Sequence, residues 1–295
     1  MLDRSNSNPR KRPRIAIAGA TGRVGARLTA LLADEPVDLV ALTRQSSPAQ
    51  LPEGVAISTV DFKRAETLDK ALRSVDRLFI AHGTSLEQVA NEIALIDAAV
   101  AAGVRHIVKL SALGPATRLL PLAWHMQIEA HLARQPIAST VLRPTAFTHV
   151  LKRVGPHIAT GSWAGAAGNG RVNFIDTRDV AEVARIALME EIEPTSQRAY
   201  HLSGPRAWTM KQVAGELARL LGHPVTYVDR SPAEQREALL GAGLSALVAD
   251  LLVGLDQMFR ESTIAETTST VEELTGKAPR SLTEWLIDNL SEFRA

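Results

Sequence analysis

The chain has 295 residues, 45% of them hydrophobic and 22% charged, with a formal net charge of +1 and no cysteine. Disulfides, thiol catalysis and cysteine-ligated metals are therefore excluded, and so even a charge balance supplies no field to draw the chain to nucleic acid or a membrane surface. The length suits one large domain or two modest ones.

Residues 1–13 are polar and hold Arg4, Arg10, Lys11 and Arg12. They lack the apolar middle of a secretory signal, so residues 1–12 read as a disordered tail and the expected compartment is the cytoplasm. Residues 15–18 are an apolar run that reads as a strand. It breaks into Gly19-Ala20-Thr21-Gly22-Arg23-Val24-Gly25, after which Val24, Leu28, Leu31 and Leu32 recur at helical spacing. Strand, glycine turn and helix in that order form the first unit of a dinucleotide-binding fold. Gly19 allows a tight exit from the strand, Gly22 lets a pyrophosphate lie close to backbone, and Gly25 lets the helix pack on the strand. The phosphates would meet free N–H groups and the positive end of the helix dipole. An ordinary strand-to-helix turn is the competing reading.

The alternation continues. Residues 37–42 read as a second strand ending at Thr43-Arg44, followed by a Ser/Pro/Gln-rich loop. Residues 55–60 read as a third strand, 67–75 as a helix, 77–81 as a fourth strand and 106–110 as a fifth. Ser85-Leu86-Glu87-Gln88 has the form of a capping box, opening a helix with Val89, Ile93, Ile96 and Val100 inward and Gly103 at its close. A sixth strand, 139–143, stops at Pro144, which cannot donate to a sheet ladder. This rhythm predicts a parallel sheet covered on both faces. From residue 152 it changes. Residues 155–170 carry five glycines and read as a loop-rich excursion, 171–175 resume as a strand, and 200–202 are the last sheet strand. Beyond Gly204-Pro205 the chain reads as mainly helical, with 225–228 as one short strand. Asp250 and Asp256 interrupt residues 244–259, making them an amphipathic helix rather than a membrane span. The expected organisation is an α/β, Rossmann-type doubly wound domain over 13–155, with 171–203 returning to the sheet. Residues 156–170 and 204–295 form a smaller, mainly helical cap.

Arg44 lies nineteen residues after Gly25, where NAD-preferring folds carry an acid for the adenosine ribose. Arg44, with Arg23 in the glycine loop, instead offers planar forks to a 2′-phosphate, which predicts NADP(H) over NAD(H); two surface arginines are the alternative. Asp61 and Phe62, at the tip of the third strand, are candidates to hold the adenine, or Asp61 caps the next turn. His82-Gly83-Thr84 and Ser111-Ala112-Leu113 end the fourth and fifth strands and should face the nicotinamide half, chiefly through backbone. A proton donor is harder to find. Short-chain dehydrogenases use a Tyr and a Lys four positions later, but Tyr200 and Tyr227 are the only tyrosines and neither has that Lys. The corresponding helix carries His125 and Glu129, one turn apart, and a neighbouring carboxylate raises an imidazole's proton affinity. This pair is either a catalytic acid or an ordinary surface pair. Trp163, Trp208, Phe147 and Phe174 line an aromatic pocket or belong to the core. HExxH, GxSxG and GxxxxGK[ST] motifs are absent, which removes the main support for metalloprotease, hydrolase and P-loop readings. The eight histidines show no metal-ligand spacing.

GATGRVG at 19–25, VKLSALG at 108–114, HMQIE at 125–129, VLRPTAF at 141–147 and FIDTRDVAEVA at 174–184 together resemble the NmrA-like atypical short-chain dehydrogenase/reductases. The segments HLSGPRAWTMKQVAGELARLLGHPV and LTGKAPRSLTEW resemble that group's small C-terminal domain. The resemblance implies an NADP(H)-binding domain with a helical domain closing over the nicotinamide. It assigns Gly19, Thr21, Gly22, Arg23 and Val24 to the pyrophosphate and Arg44 to the 2′-phosphate. His82, Gly83, Ser111 and Pro144-Thr145-Ala146-Phe147 fall on the nicotinamide side. Members divide into reductases of quinones or other small molecules and catalytically silent redox sensors. The expectation is hydride transfer from NADPH to a quinone-like or other electron-poor acceptor, with no nucleic acid partner and no membrane insertion. The alternatives are a silent sensor that regulates a protein partner, and an imine or alkene reductase of a biosynthetic pathway.

Overall fold

The computed structural model describes residues 12–44, 51–114, 120–158 and 161–294. Residues 1–11 of the expected tail, and the Ser/Pro/Gln-rich loop over 45–50, lie outside the described residues. In chain order the strands are β1 (Arg14–Ala18), β2 (Asp38–Thr43), β3 (Ala56–Thr59), β4 (Arg77–Ile80), β5 (His106–Leu110) and β6 (Ala138–Pro144). They continue with β7 (Ala146–Phe147), β8 (Ser162–Gly165), β9 (Val172–Ile175), β10 (Gln197–Leu202), β11 (Ala207–Trp208) and β12 (Thr226–Asp229). The first helices are α1 (Arg23–Ala33), α2 (Ala65–Leu72), α3 (Gln88–Ala101), α4 (Leu122–Leu132), α5 (Gly155–Ile158) and α6 (Thr177–Met189). After them come α7 (Met210–Leu221), α8 (Pro232–Gly241), α9 (Ala246–Arg260), α10 (Thr270–Thr275) and α11 (Leu282–Asp288).

Seven strands form one sheet in the order β10-β6-β5-β4-β1-β2-β3, every pairing parallel. The chain winds outward through β1, β2 and β3, then returns to the other side of β1 with β4. That reversal opens a crevice beyond the carboxyl ends of β1 and β4. Side chains alternate across the sheet, as strand geometry requires. Ile15 and Ile17 of β1 pack with Val24, Leu28 and Leu32 of α1 and Val180, Val183 and Leu188 of α6. Ala16 and Ala18 face the other way, towards Leu68 of α2, Leu95 and Ile96 of α3, and Ile128 of α4. Burial of each large aliphatic side chain stabilises the layer by roughly 1.5–3 kcal/mol, so a strand that is apolar on both faces is fixed between two helical layers.

A third apolar cluster belongs to the C-terminal part and includes Trp163, Phe174, Trp208, Tyr227, Phe259 and Trp285. Three of the four aromatics considered for a pocket, Trp163, Phe174 and Trp208, are thus core. Most of the longer helices here start on side-chain caps. Thr209 with Gln212, Ser231 with Glu234 and Ser281 with Glu284 form reciprocal capping boxes at α7, α8 and α11.

The structure differs from the sequence reading at three places. Strand β9, expected to rejoin the main sheet, pairs with β7 and β11 instead, and only β10 of residues 171–203 enters the seven-stranded sheet. The glycine-rich excursion holds α5 and β8, and β8 pairs in parallel with β12. The capping box at Ser85 does not form: α3 begins at Gln88 after Glu87, with no side-chain cap. Gln88 is buried and its amide donates forward to Glu92 rather than back. Gln88, Glu92, Leu95, Ile96 and Ala99 form the buried face of α3, so the inward stripe is rotated from the one expected and carries two polar residues. No helix among the described residues is long and apolar enough to cross a membrane.

Candidate functional site

The glycine turn is built as tightly as its spacing implies. Gly19 has φ +88°, and a Cβ there would sit 2.2 Å from the Ala81 carbonyl oxygen. A Cβ on Gly25 would lie 2.0 Å from the Gly19 carbonyl oxygen, so α1 can approach β1 only with glycine at that position. The Gly22 amide donates to the Gly19 carbonyl at 2.9 Å, and the Gly22 carbonyl accepts from Ala26 at 2.8 Å. Gly22 caps α1 without a side chain, and the first turn has no acid. The amides of Arg23, Val24 and Gly25 therefore have no partner within the helix, and these residues line a cleft of about 650 Å³.

The cleft covers the carboxyl ends of β1, β2, β4 and β5. Gly19, Thr21, Gly22, Arg23, Val24 and Gly25 line it along the turn, Arg44 at the end of β2, Phe62 after β3, and His82 and Gly83 after β4. Phe147 lines it from β7. Arg23 and Arg44 are exposed, and among the described residues neither has an ion-pair partner. The Phe62 ring meets the His82 ring edge-on at 5.6 Å. The Gly83 carbonyl lies 2.6 Å from His82 Nδ1 and can only accept, so Nδ1 carries the ring proton.

Three expected cofactor residues do not line this cleft. The Asp61 carboxylate accepts the Lys63 amide at 3.0 Å, which closes the local turn. Ser111 donates its hydroxyl to Glu129. Pro144 is buried opposite Leu202 in the β6–β10 ladder.

The expected pairing of His125 with Glu129 is not formed either. Glu129 is taken by Ser111 and by Arg143, whose Nε donates at 3.0 Å. His125 turns towards β5, with Nδ1 3.2 Å from the Nζ of Lys109. Burial, and then the Lys109 charge, push its pKa well below the ordinary imidazole value. This is the reverse of the rise that a carboxylate neighbour would cause, so near neutral pH the ring is uncharged. Neither His125 nor Glu129 lines the cleft; Glu92, which sequence reasoning passed over, does. Its partner Lys109 was also missed, although a lysine between Val108 and Leu110 in an apolar, doubly covered strand is a readable signal.

Comparison with known proteins agrees with this architecture. The NmrA-like family model matches residues 11–292. The chain is 29% identical over 286 residues to NAD(P)H azoreductase of Xenophilus azovorans, covering 95% of this chain and 99% of that one. It is 31% identical over 277 residues to quinone oxidoreductase 2 of Escherichia coli, covering 92% and 96%. The crystal structure of the Escherichia coli NADPH-dependent quinone oxidoreductase QOR2 complexed with NADPH superposes with a TM-score of 0.86 at 28% identity, covering 94% of this chain and 99% of that one. The chain belongs to the NmrA-like family.

Proposed function

We propose that this NmrA-like chain is an NADPH-dependent reductase that passes hydride to a quinone-like or other small, electron-poor acceptor. The observation that carries the reading is the start of α1: three unengaged amides, no cap and no acid, opening on a cleft with two unpaired arginines. That donor set fits a dinucleotide. The amides and the helix dipole suit a diphosphate, and Arg44 with Arg23 suits an added 2′-phosphate, which favours NADP(H) over NAD(H). The names of the azoreductase and quinone reductase relatives, and the NADPH complex of the structural neighbour, support the same reading.

When bound, the nicotinamide supplies the hydride and the protein supplies position and water exclusion. Phe147 and the His82-Gly83 turn shape the cleft wall, with His82 Nδ1 on the Gly83 carbonyl and Nε2 on the Asn91 side-chain amide. Use of NADPH favours the cytoplasm as the compartment and a small molecule as the partner.

The test is calorimetry with NADPH and NADH, followed by anaerobic mixing of the NADPH complex with a panel of quinones and azo compounds. Loss of nicotinamide absorbance with at least one acceptor is expected. Tight NADPH binding with no turnover of any acceptor would instead identify a nucleotide-responsive binding module, and no heat with either coenzyme would end the nucleotide reading altogether.

A further inference from the structure

Behind the cleft lies a buried charged chain that cofactor binding does not use. Lys109 on β5 and Glu92 on α3 are both essentially inaccessible, and Nζ and Oε2 are 2.9 Å apart. Gln88, one turn earlier on α3, donates to the other carboxylate oxygen at 3.0 Å. An ammonium has three N–H donors and no acceptor. Lys109 donates to the Leu110 carbonyl and to His125 Nδ1, and its ammonium lies against Glu92 Oε2 as an ion pair. Because the ammonium can only donate, Nδ1 is the bare nitrogen and the ring proton sits on Nε2. His125 is half-buried on α4, while Glu92 and Leu110 line the cleft. The chain of groups thus runs from the α4 side of the molecule to the cleft wall.

Stability does not account for the pair, since an apolar pair of similar size generally serves a core as well or better. The charged groups facing Lys109 are Glu92 from α3 and His125 from α4. Close by, Glu129 is held by Ser111 and by Arg143 of β6, and His131, further along α4, pairs with Asp97 of α3 at 2.6 Å.

We propose, resting on the reductase reading, that Lys109 stores the proton that accompanies hydride transfer and that Glu92 passes it into the cleft. As the acceptor gains hydride from NADPH, a carbonyl oxygen on it becomes anionic. One Nζ–H bond of Lys109 breaks, the proton crosses the Glu92 carboxylate, and an O–H bond forms on the acceptor. Once the product leaves, solvent in the cleft returns a proton to the amine through the Glu92 carboxylate. One quinone, one hydride and one proton give one hydroquinone. His125 acts as a positioning residue, holding Nζ in line by accepting one of its N–H bonds.

The test compares the wild type with a Lys109→Met/Glu92→Gln variant, in which both charges go together and neither is left buried alone. Two acceptors are used: a quinone, which needs hydride and proton, and a triarylmethyl cation, which needs hydride only. The quinone-to-cation rate ratio should fall about tenfold or more in the variant. Nitrogen-15 NMR of the wild type should show His125 as the Nε2–H tautomer, resisting protonation below the ordinary imidazole pKa and titrating closer to that value in the variant. An unchanged ratio in a folded variant that binds NADPH, or an Nδ1–H tautomer in the wild type, overturns the relay and leaves the reductase reading standing. Wild-type protein that reduces neither acceptor overturns both. Glu92→Gln alone, which keeps size and a hydrogen-bonding amide, is read by the same ratio if the double variant does not fold.

Discussion

The early and late helices of this chain begin in different ways. α1 to α4 start after Gly22, Arg64, Glu87 and Pro121, none of which caps with a side chain. α6, α7, α8, α9 and α11 start on Asp176, Thr209, Ser231, Ser245 and Ser281, and each of these side chains accepts an amide of the first turn. A good cap contributes about 1 kcal/mol, so the uncapped group forgoes stability four times over. α2, α3, α4 and the late α10 show that a supporting helix can do without such a cap; what sets α1 apart is that its open amides face the cleft.

The most severe way to break this arrangement is Gly25→Val. The new Cβ would meet the Gly19 carbonyl at 2.0 Å, and backbone cannot yield there. Unfolding titrations should show a loss of about 3 kcal/mol or more, with no measurable NADPH heat. Gly22→Asp sharpens the comparison by giving α1 the cap it lacks. Stability should hold or rise by about a few tenths of a kcal/mol, limited by a 3.1 Å approach of Cβ to the Gly19 oxygen. NADPH affinity should nevertheless drop by more than about 2 kcal/mol, because a carboxylate now occupies the amides meant for phosphate. A gain in both quantities would refute the trade.

Arg44→Ser tests the other wall of the cleft. Its effect should be near 2 kcal/mol on NADPH, about thirtyfold in Kd, with NADH left within about threefold; equal losses for both coenzymes would remove the 2′-phosphate assignment. On the capped side, Ser281→Ala should cost about 1 kcal/mol of stability by denaturant titration and leave NADPH binding alone.

The smallest effect is a matter of pH. Glu216 of α7 accepts from Arg219 at 2.8 Å and from Thr283 near the start of α11 at 2.7 Å. The Arg219 hydrogen bond first, and the Thr283 hydroxyl after it, hold its pKa down at about 2 against burial. A depressed carboxylate stabilises the fold above the unfolded value of 4.5 and loses that contribution as the pH falls towards 2. Solvent screening keeps this below about 1 kcal/mol. Glu216→Gln should flatten the acid limb of a stability-against-pH curve by that much; an identical limb would show that other carboxylates dominate.

The open side of this comparison was the more readable from residues alone. Gly19, Gly22 and Gly25 declare themselves because strand, turn and helix follow one another within a dozen positions, and local sterics decide the outcome. The strand alternation over β1 to β6 was legible for the same reason, as was Phe147 as a cleft residue through family resemblance. His125 shows where such reading stops. Helical spacing says that His125 and Glu129 share a face, but not that Lys109 outbids Glu129 for the imidazole or that Ser111 and Arg143 claim the carboxylate. The inward face of α3 was misjudged because Gln88 and Glu92 face the core in place of the expected apolar stripe, with Lys109 as the buried partner of Glu92. Pairing of β8 with β12 joins segments about sixty residues apart, whose short, mixed sequences give no periodic signal.

The parallel pairing of β10 with β6, together with α6 lying over α1, sets an order for synthesis. A nascent chain that has delivered only β1 to β6 still lacks the helix that covers Leu28, Leu32 and Leu142 and the strand that closes the outer ladder. On the ribosome that apolar face stays bare until about fifty further residues have emerged. The glycine-turn half cut free by itself would leave that apolar face exposed to solvent.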